Sequence, residues 1–152
     1  DSMYGNDGWD DMWGGTGNDY MSGGTGNDDM WGEDGEDTMS GGDGDDYMSG
    51  GNDRDKMYGN DGDDYIDGDE GDDCIEGGEG NDTIFGGNDN DLMVGGDGVD
   101  PGDTQVGQGR LGGGQHQAWV GVLHQASQLT KAASCDICKR VGSARVMKGV
   151  RL

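Results

Sequence analysis

Apolar side chains recur through the first hundred residues at a fixed interval of nine. Met3, Met12, Met21, Met30, Met39, Met48, Met57, Ile66, Ile75, Ile84 and Met93 fall on one phase, separated by glycine, acidic and polar residues. Counted from Gly5, position one of every repeat is glycine: Gly5, Gly14, Gly23, Gly32, Gly41, Gly50, Gly59, Gly68, Gly77, Gly86 and Gly95. Position six is always aspartate, and the apolar residue holds position eight. A helix turns every 3.6 residues, so this spacing would place successive Met residues on opposite faces. Glycine at this density would also cost a helix about 1 kcal/mol per residue. Collagen needs glycine at every third position, and an EF-hand needs flanking helices; neither pattern is present.

The period fits a solenoid. The first six residues of each repeat read as a turn, with glycine supplying positive φ. The last three read as a short strand whose middle residue points inward and whose neighbours point out. Two repeats complete a coil, with one strand on each of two facing sheets. The predicted fold is all-β, a parallel β-roll (β-helix solenoid) of nonapeptide repeats over residues 1–100. An irregular or weakly helical tail is expected over 101–152, mostly disordered or partly helical. The chain opens on Asp1 in mid-repeat and so reads as a fragment.

Composition sharpens this picture. Of 152 residues 36 are glycine, and apolar residues make up only 29%, too few for a conventional core. Residues 1–101 hold 31 acids against two bases, Arg54 and Lys56, whereas residues 102–152 hold seven bases and two acids. The first part should attract cations and repel nucleic acid and anionic membrane. With so little apolar burial to oppose ordering entropy and self-repulsion, it should not fold in plain water. No stretch is long and apolar enough to form a transmembrane helix.

"GGTGNDYMS", "GGDGDDYMS" and "GGEGNDTIF" resemble the RTX (repeats-in-toxin) consensus G-G-x-G-x-D-x-U-x, the haemolysin-type calcium-binding repeat. The resemblance covers residues 1–100 and implies a parallel β-roll with Ca²⁺ between turns stacked on the same edge. It implies a ligand at each position-six aspartate. Asp10, Asp28, Asp46, Asp64, Asp82 and Asp100 would line one edge, and Asp19, Asp37, Asp55, Asp73 and Asp91 the other. The chemistry agrees: Ca²⁺ takes six to eight oxygen ligands, and glycine-rich turns present carbonyls without obstruction. Stacked turns lie about 4.8 Å apart, so bare carboxylates would repel along both edges and a divalent ion would reverse the sign. Metal binding and folding should be one event, with at most nine sites between turns.

Some positions depart from the consensus. Position two is Asn6, Glu33, Asn60 and Asp69, and position four is Asp53 and Asp89. Asn and Asp tolerate left-handed backbone; Glu33 is less comfortable there. Residues 50–58, with Asp53, Arg54 and Lys56, form the odd repeat, read as a weaker calcium site or a hinge. Trp13 and Trp31, and Tyr47 and Tyr65, stand one coil apart, and such pairs suit cross-strand packing or sugar binding. Thr16 and Thr25 fall on opposite edges, which argues against an ice-binding Thr array.

The repeat dies at Pro101, where the roll should end. Residues 117–134 could form an amphipathic helix with Trp119, Val122, Leu123 and Ala126 on one side, capping the roll. Cys135 and Cys138, with His116 and His124 upstream, give a weak zinc pattern. With Cys74 the cysteine total is odd. An out-of-frame tail is the bland alternative. In that case another reading frame past codon 100 should restore GGxGxD. No catalytic constellation stands out, so the fragment is not expected to be an enzyme. The family resemblance implies a calcium-binding module of a secreted bacterial protein, exported by a type I apparatus and folding on calcium outside the cell. Two alternatives are the C-terminal part of a secreted RTX enzyme or toxin (haemolysin, metalloprotease, epimerase, adenylate cyclase toxin) and an adhesin or surface-layer array.

Overall fold

The computed structural model describes residues 1–100. Eleven strands follow one another: β1 Ser2–Asp7, β2 Asp11–Thr16, β3 Tyr20–Thr25, β4 Asp29–Asp34, β5 Thr38–Asp43, β6 Tyr47–Asn52, β7 Lys56–Asp61, β8 Tyr65–Glu70, β9 Cys74–Glu79, β10 Thr83–Phe85 and β11 Leu92–Asp97. Odd-numbered strands build a six-stranded sheet in the order β1-β3-β5-β7-β9-β11, and even-numbered strands a five-stranded sheet in the order β10-β8-β6-β4-β2. All pairings are parallel, and each strand pairs with the one two repeats on at identical phase, as Met21 with Met39 and Met30 with Met48. The register of the sequence repeat is therefore the register of the sheets. Among the described residues no helix is long and apolar enough to cross a membrane.

Position eight is the core. Met12, Met21, Met30, Met39, Met48, Met57, Ile66, Ile75, Ile84 and Met93 form one buried cluster drawn from both sheets, with Met3 partly buried against it. Each coil thus contributes only two apolar side chains to a strip one residue wide per strand. Burying a Met fully is worth about 1.5–3 kcal/mol, a modest return for ordering eighteen residues.

One expectation is corrected. The strands are six residues long, not three, because the chain keeps bonding to the stacked coil through positions two and three. In the β2–β4 pair, Asp11, Met12 and Trp13 find partners, Gly14 drops out, and Gly15 and Thr16 pair again. Stacked coils share one shape, so a bend at position one does not end the ladder. Only β10 stops at three residues, with Asn88 rejoining through an isolated bridge to Glu70. Cys74, Leu92 and Val94, at positions seven and nine of the C-terminal coils, are also buried but lie outside the Met and Ile cluster. Cys74 is disulfide-bonded. The end of the roll at Pro101, the helix over 117–134 and the cysteines and histidines of the tail lie outside the described residues.

Positions two and four carry positive φ in all eleven repeats, and the six non-glycine cases are Asn6, Glu33, Asp53, Asn60, Asp69 and Asp89. Glu33, at φ 74°, lacks the short side chain that eases this conformation. Glu33→Gly should therefore stabilise the calcium-loaded roll by about 1 kcal/mol, read as a rise in thermal midpoint. Met39→Ala, in mid-roll, should cost about 2–5 kcal/mol in denaturant unfolding, and Met3→Ala less than half of that.

Candidate metal centre

The aspartates of position six form two ladders. The backbone N–H of Asp10 donates to Asp28 Oδ1 (2.9 Å), that of Asp28 to Asp46 (2.8 Å), Asp46 to Asp64 (2.9 Å), Asp64 to Asp82 (3.0 Å) and Asp82 to Asp100 (3.0 Å). On the opposite edge Asp19 donates to Asp37 and Asp37 to Asp55 (both 2.8 Å), Asp55 to Asp73 (2.9 Å) and Asp73 to Asp91 (3.0 Å). The structure thus brings all eleven predicted aspartates into the two predicted edges, joined by nine rungs.

Asp19, Asp28, Asp37, Asp46, Asp55, Asp64, Asp73 and Asp82 are buried. The room comes from position one. A Cβ on Gly14 would stand 2.9 Å from Asp19 Oδ2, and one on Gly5 2.6 Å from Asp10 Oδ2. These glycines do not have positive φ. Their role is to leave space for the carboxylate of their own repeat.

From Asp28 to Asp82 each ladder carboxylate has Oδ1 bonded to a backbone N–H and Oδ2 without a partner. Oδ2 of Asp10, Asp19, Asp28, Asp37, Asp46, Asp55, Asp64, Asp73 and Asp82 is buried without a hydrogen-bond partner. A buried carboxylate with only one oxygen bonded costs several kcal/mol unless it takes up a proton or a cation. Burial raises the Asp28 and Asp37 carboxyls above their usual range, and raises those of Asp46 and Asp82 to about 6, Asp55 and Asp64 to about 7 and Asp73 to about 8. The backbone N–H on Oδ1 opposes this rise, and neighbouring ladder carboxylates add to it.

The donor set is oxygen only. Among the described residues no three His, Cys, Asp or Glu side chains gather into a compact metal-binding group. A metal between turns would therefore take at most the carboxylates of adjacent rungs, and turn carbonyls would complete its shell. Carbonyls of positions three and six already accept N–H groups between coils, as Thr25 O from Gly8 and Asp10 O from Asp29. Those of position four, such as Gly8 and Gly26, take no part in these turn-to-turn bonds and face the stacked turn. Hard oxygen donors of this kind suit Ca²⁺ rather than zinc or copper.

A second ladder went unnoticed in the sequence. At position five, Asn27 Oδ1 accepts from the Asp45 N–H, Asp45 from Asp63, Asp63 from Asn81, and Asn81 from Val99. It runs in the opposite sense to the first. The signal was available in the Asn and Asp that fill position five in most repeats.

The aromatic pairs do stack, Trp13 on Trp31 at 5.1 Å and Tyr47 on Tyr65 at 5.2 Å. Trp31–Tyr47 and Tyr65–Phe85 contacts join them into one stripe across the five-stranded sheet. The near-parallel rings cover one another's faces, which are the surfaces a sugar would need.

A parallel β-solenoid carrying one half-satisfied buried carboxylate per turn defines a cation-binding repeat module. The family model of the RTX calcium-binding nonapeptide repeat, which spans four copies of the repeat, matches residues 4–39, 40–73 and 67–100. The chain belongs to that family, and its cofactor is Ca²⁺. No curated protein and no solved structure matches the chain.

The raised carboxyl groups give a sign to the pH dependence without metal. They bind more protons in the roll than in the unfolded chain, whose aspartates titrate near 3.9. Metal-free stability is therefore fully present below about pH 4 and is lost as pH rises through about 6 to 8. In chelator, β-structure seen by circular dichroism should grow on acidification from pH 8 to 4.5. A flat signal would contradict the half-satisfied ladder.

Proposed function

We propose that residues 1–100 are a calcium-triggered folding module of an exported protein, unfolded at cytosolic calcium and folded outside the cell. The orphaned Oδ2 atoms of the two ladders carry this reading. The metal ligands are Asp10, Asp19, Asp28, Asp37, Asp46, Asp55, Asp64, Asp73, Asp82, Asp91 and Asp100, together with turn carbonyls. At neutral pH an unfolded chain keeps these carboxylates in water. The roll buries them only when a divalent ion meets the second oxygen. Extracellular calcium modules work at about 0.1–1 mM, a range met outside cells and not in the cytosol. The module's role is binding and scaffolding, and a type I apparatus that passes unfolded chains suits it.

A calcium titration tests this. The chain in chelator at pH 7.5 should show a coil spectrum and convert to β on adding Ca²⁺ to about 1 mM, but not on adding equimolar Mg²⁺. Asp64→Ala, in mid-ladder, should raise the calcium midpoint several-fold. A β spectrum in chelator, indifferent to Ca²⁺, would refute the proposal.

A further inference from the structure

The two edges are not equivalent. The edge bearing Asp10, Asp28, Asp46, Asp64, Asp82 and Asp100 has glycine at position four in every turn: Gly8, Gly26, Gly44, Gly62, Gly80 and Gly98. Its position-five ladder runs unbroken from Asn27 to Val99. The other edge departs at both positions. Position four is Asp53 and Asp89, each at φ near 75°. On this edge a Cβ at position four meets the stacked turn, as one built on Gly71 would meet the Asp53 carbonyl. Its position-five ladder survives only in part, with Asn18 accepting from Glu36 and Asp72 from Asn90. Between those pieces stands Arg54, which has no acceptor to offer.

Arg54 acts differently. Its Nε–H donates to the Asp72 carbonyl at 3.1 Å, and its guanidinium pairs with the Asp72 carboxylate at 3.6 Å. Arg54 immediately precedes ladder residue Asp55, and Asp72 immediately precedes Asp73. The guanidinium therefore bridges the same pair of stacked turns that the Asp55–Asp73 rung joins. Asp55 Oδ2 and Asp73 Oδ2 remain unpartnered, so the arginine sits beside the rung without satisfying it.

We propose that the two edges are two classes of calcium site, and that Arg54 sets the weaker class by fixing a positive charge across the gap between the Asp55 and Asp73 turns. This rests on the calcium reading above. A unit charge within about a Debye length of a divalent ion lowers the ion's affinity, by about tenfold at close range. Within the folded roll the same charge offsets one acid, Asp72, and bonds to the next coil. Calcium then fills the regular edge first and the Arg54 edge last.

Calorimetric titration of the full chain with CaCl₂, followed in parallel by circular dichroism, separates the outcomes. The wild type should titrate in two phases. R54N, which installs the residue found at Asn18, Asn27, Asn81 and Asn90, should move the weaker phase to about tenfold lower calcium. The D53G/R54N double variant, which restores the full turn pattern, should move it at least as far. R54K keeps the charge and should leave two phases. A single phase in the wild type, or a weaker phase unmoved by both R54N and D53G/R54N, overturns the inference while leaving calcium-driven folding intact. Absence of any calcium-induced β signal in the wild type overturns both.

Discussion

A buried carboxylate with one oxygen bonded and the other bare is the constraint on which this fold depends. The N–H groups of Asp10 to Asp82 each grip the Oδ1 of the aspartate one coil on, which orients the carboxylates of Asp28 to Asp100 and aligns the turns. That bond cannot also serve Oδ2, which is enclosed by its own coil. The core offers little in compensation, since its apolar cluster receives two side chains per coil. Cohesion must come from whatever meets the second oxygen. A proton can do so in acid and calcium can do so at neutral pH, and only the second leaves the carboxylates charged.

Glycine serves this arrangement in two distinct ways. At positions two and four it relieves positive φ, and there the chain accepts Asn, Asp and once Glu at some cost in strain. At position one it makes room, and no substitute appears in any repeat. A methyl group there would displace the carboxylate that the ladder needs. The two roles explain why glycine positions in a single repeat differ in tolerance.

Much of this was legible in the sequence because the period of nine is also the register of the sheets. The inward Met and Ile, the division of aspartates between two edges, and the stacking of Trp13 on Trp31 all follow from counting by eighteen. Strand length was not legible. Glycine at positions one and two looked like a turn, and only the identical shape of stacked coils lets a bent chain keep its ladder. The burial of the aspartates was missed for a related reason. Counting assigned them to an edge but not to a depth, and the space beside position one becomes visible only when the turn is built. The join between the two aromatic pairs was hidden because Trp31 and Tyr47 occupy different positions of the repeat, nine and seven. Arg54 stood out at once by its charge, but its reach to Asp72 depends on the coil rise.

The repeat unit is thus nearly uniform in its backbone and uneven in its chemistry, with the departures at position four confined to the edge that holds Arg54. Such unevenness changes how the sites fill, while the requirement for a cation is common to all of them. The most direct measurement of that requirement is the thermal unfolding midpoint as a function of free calcium at pH 7.5. Ions bound only by the folded chain raise stability in proportion to the logarithm of their concentration, with a slope that counts them. The account predicts no cooperative transition in chelator and a midpoint that climbs with a slope of several ions per chain. A cooperative transition in chelator at the same temperature as in calcium would contradict it.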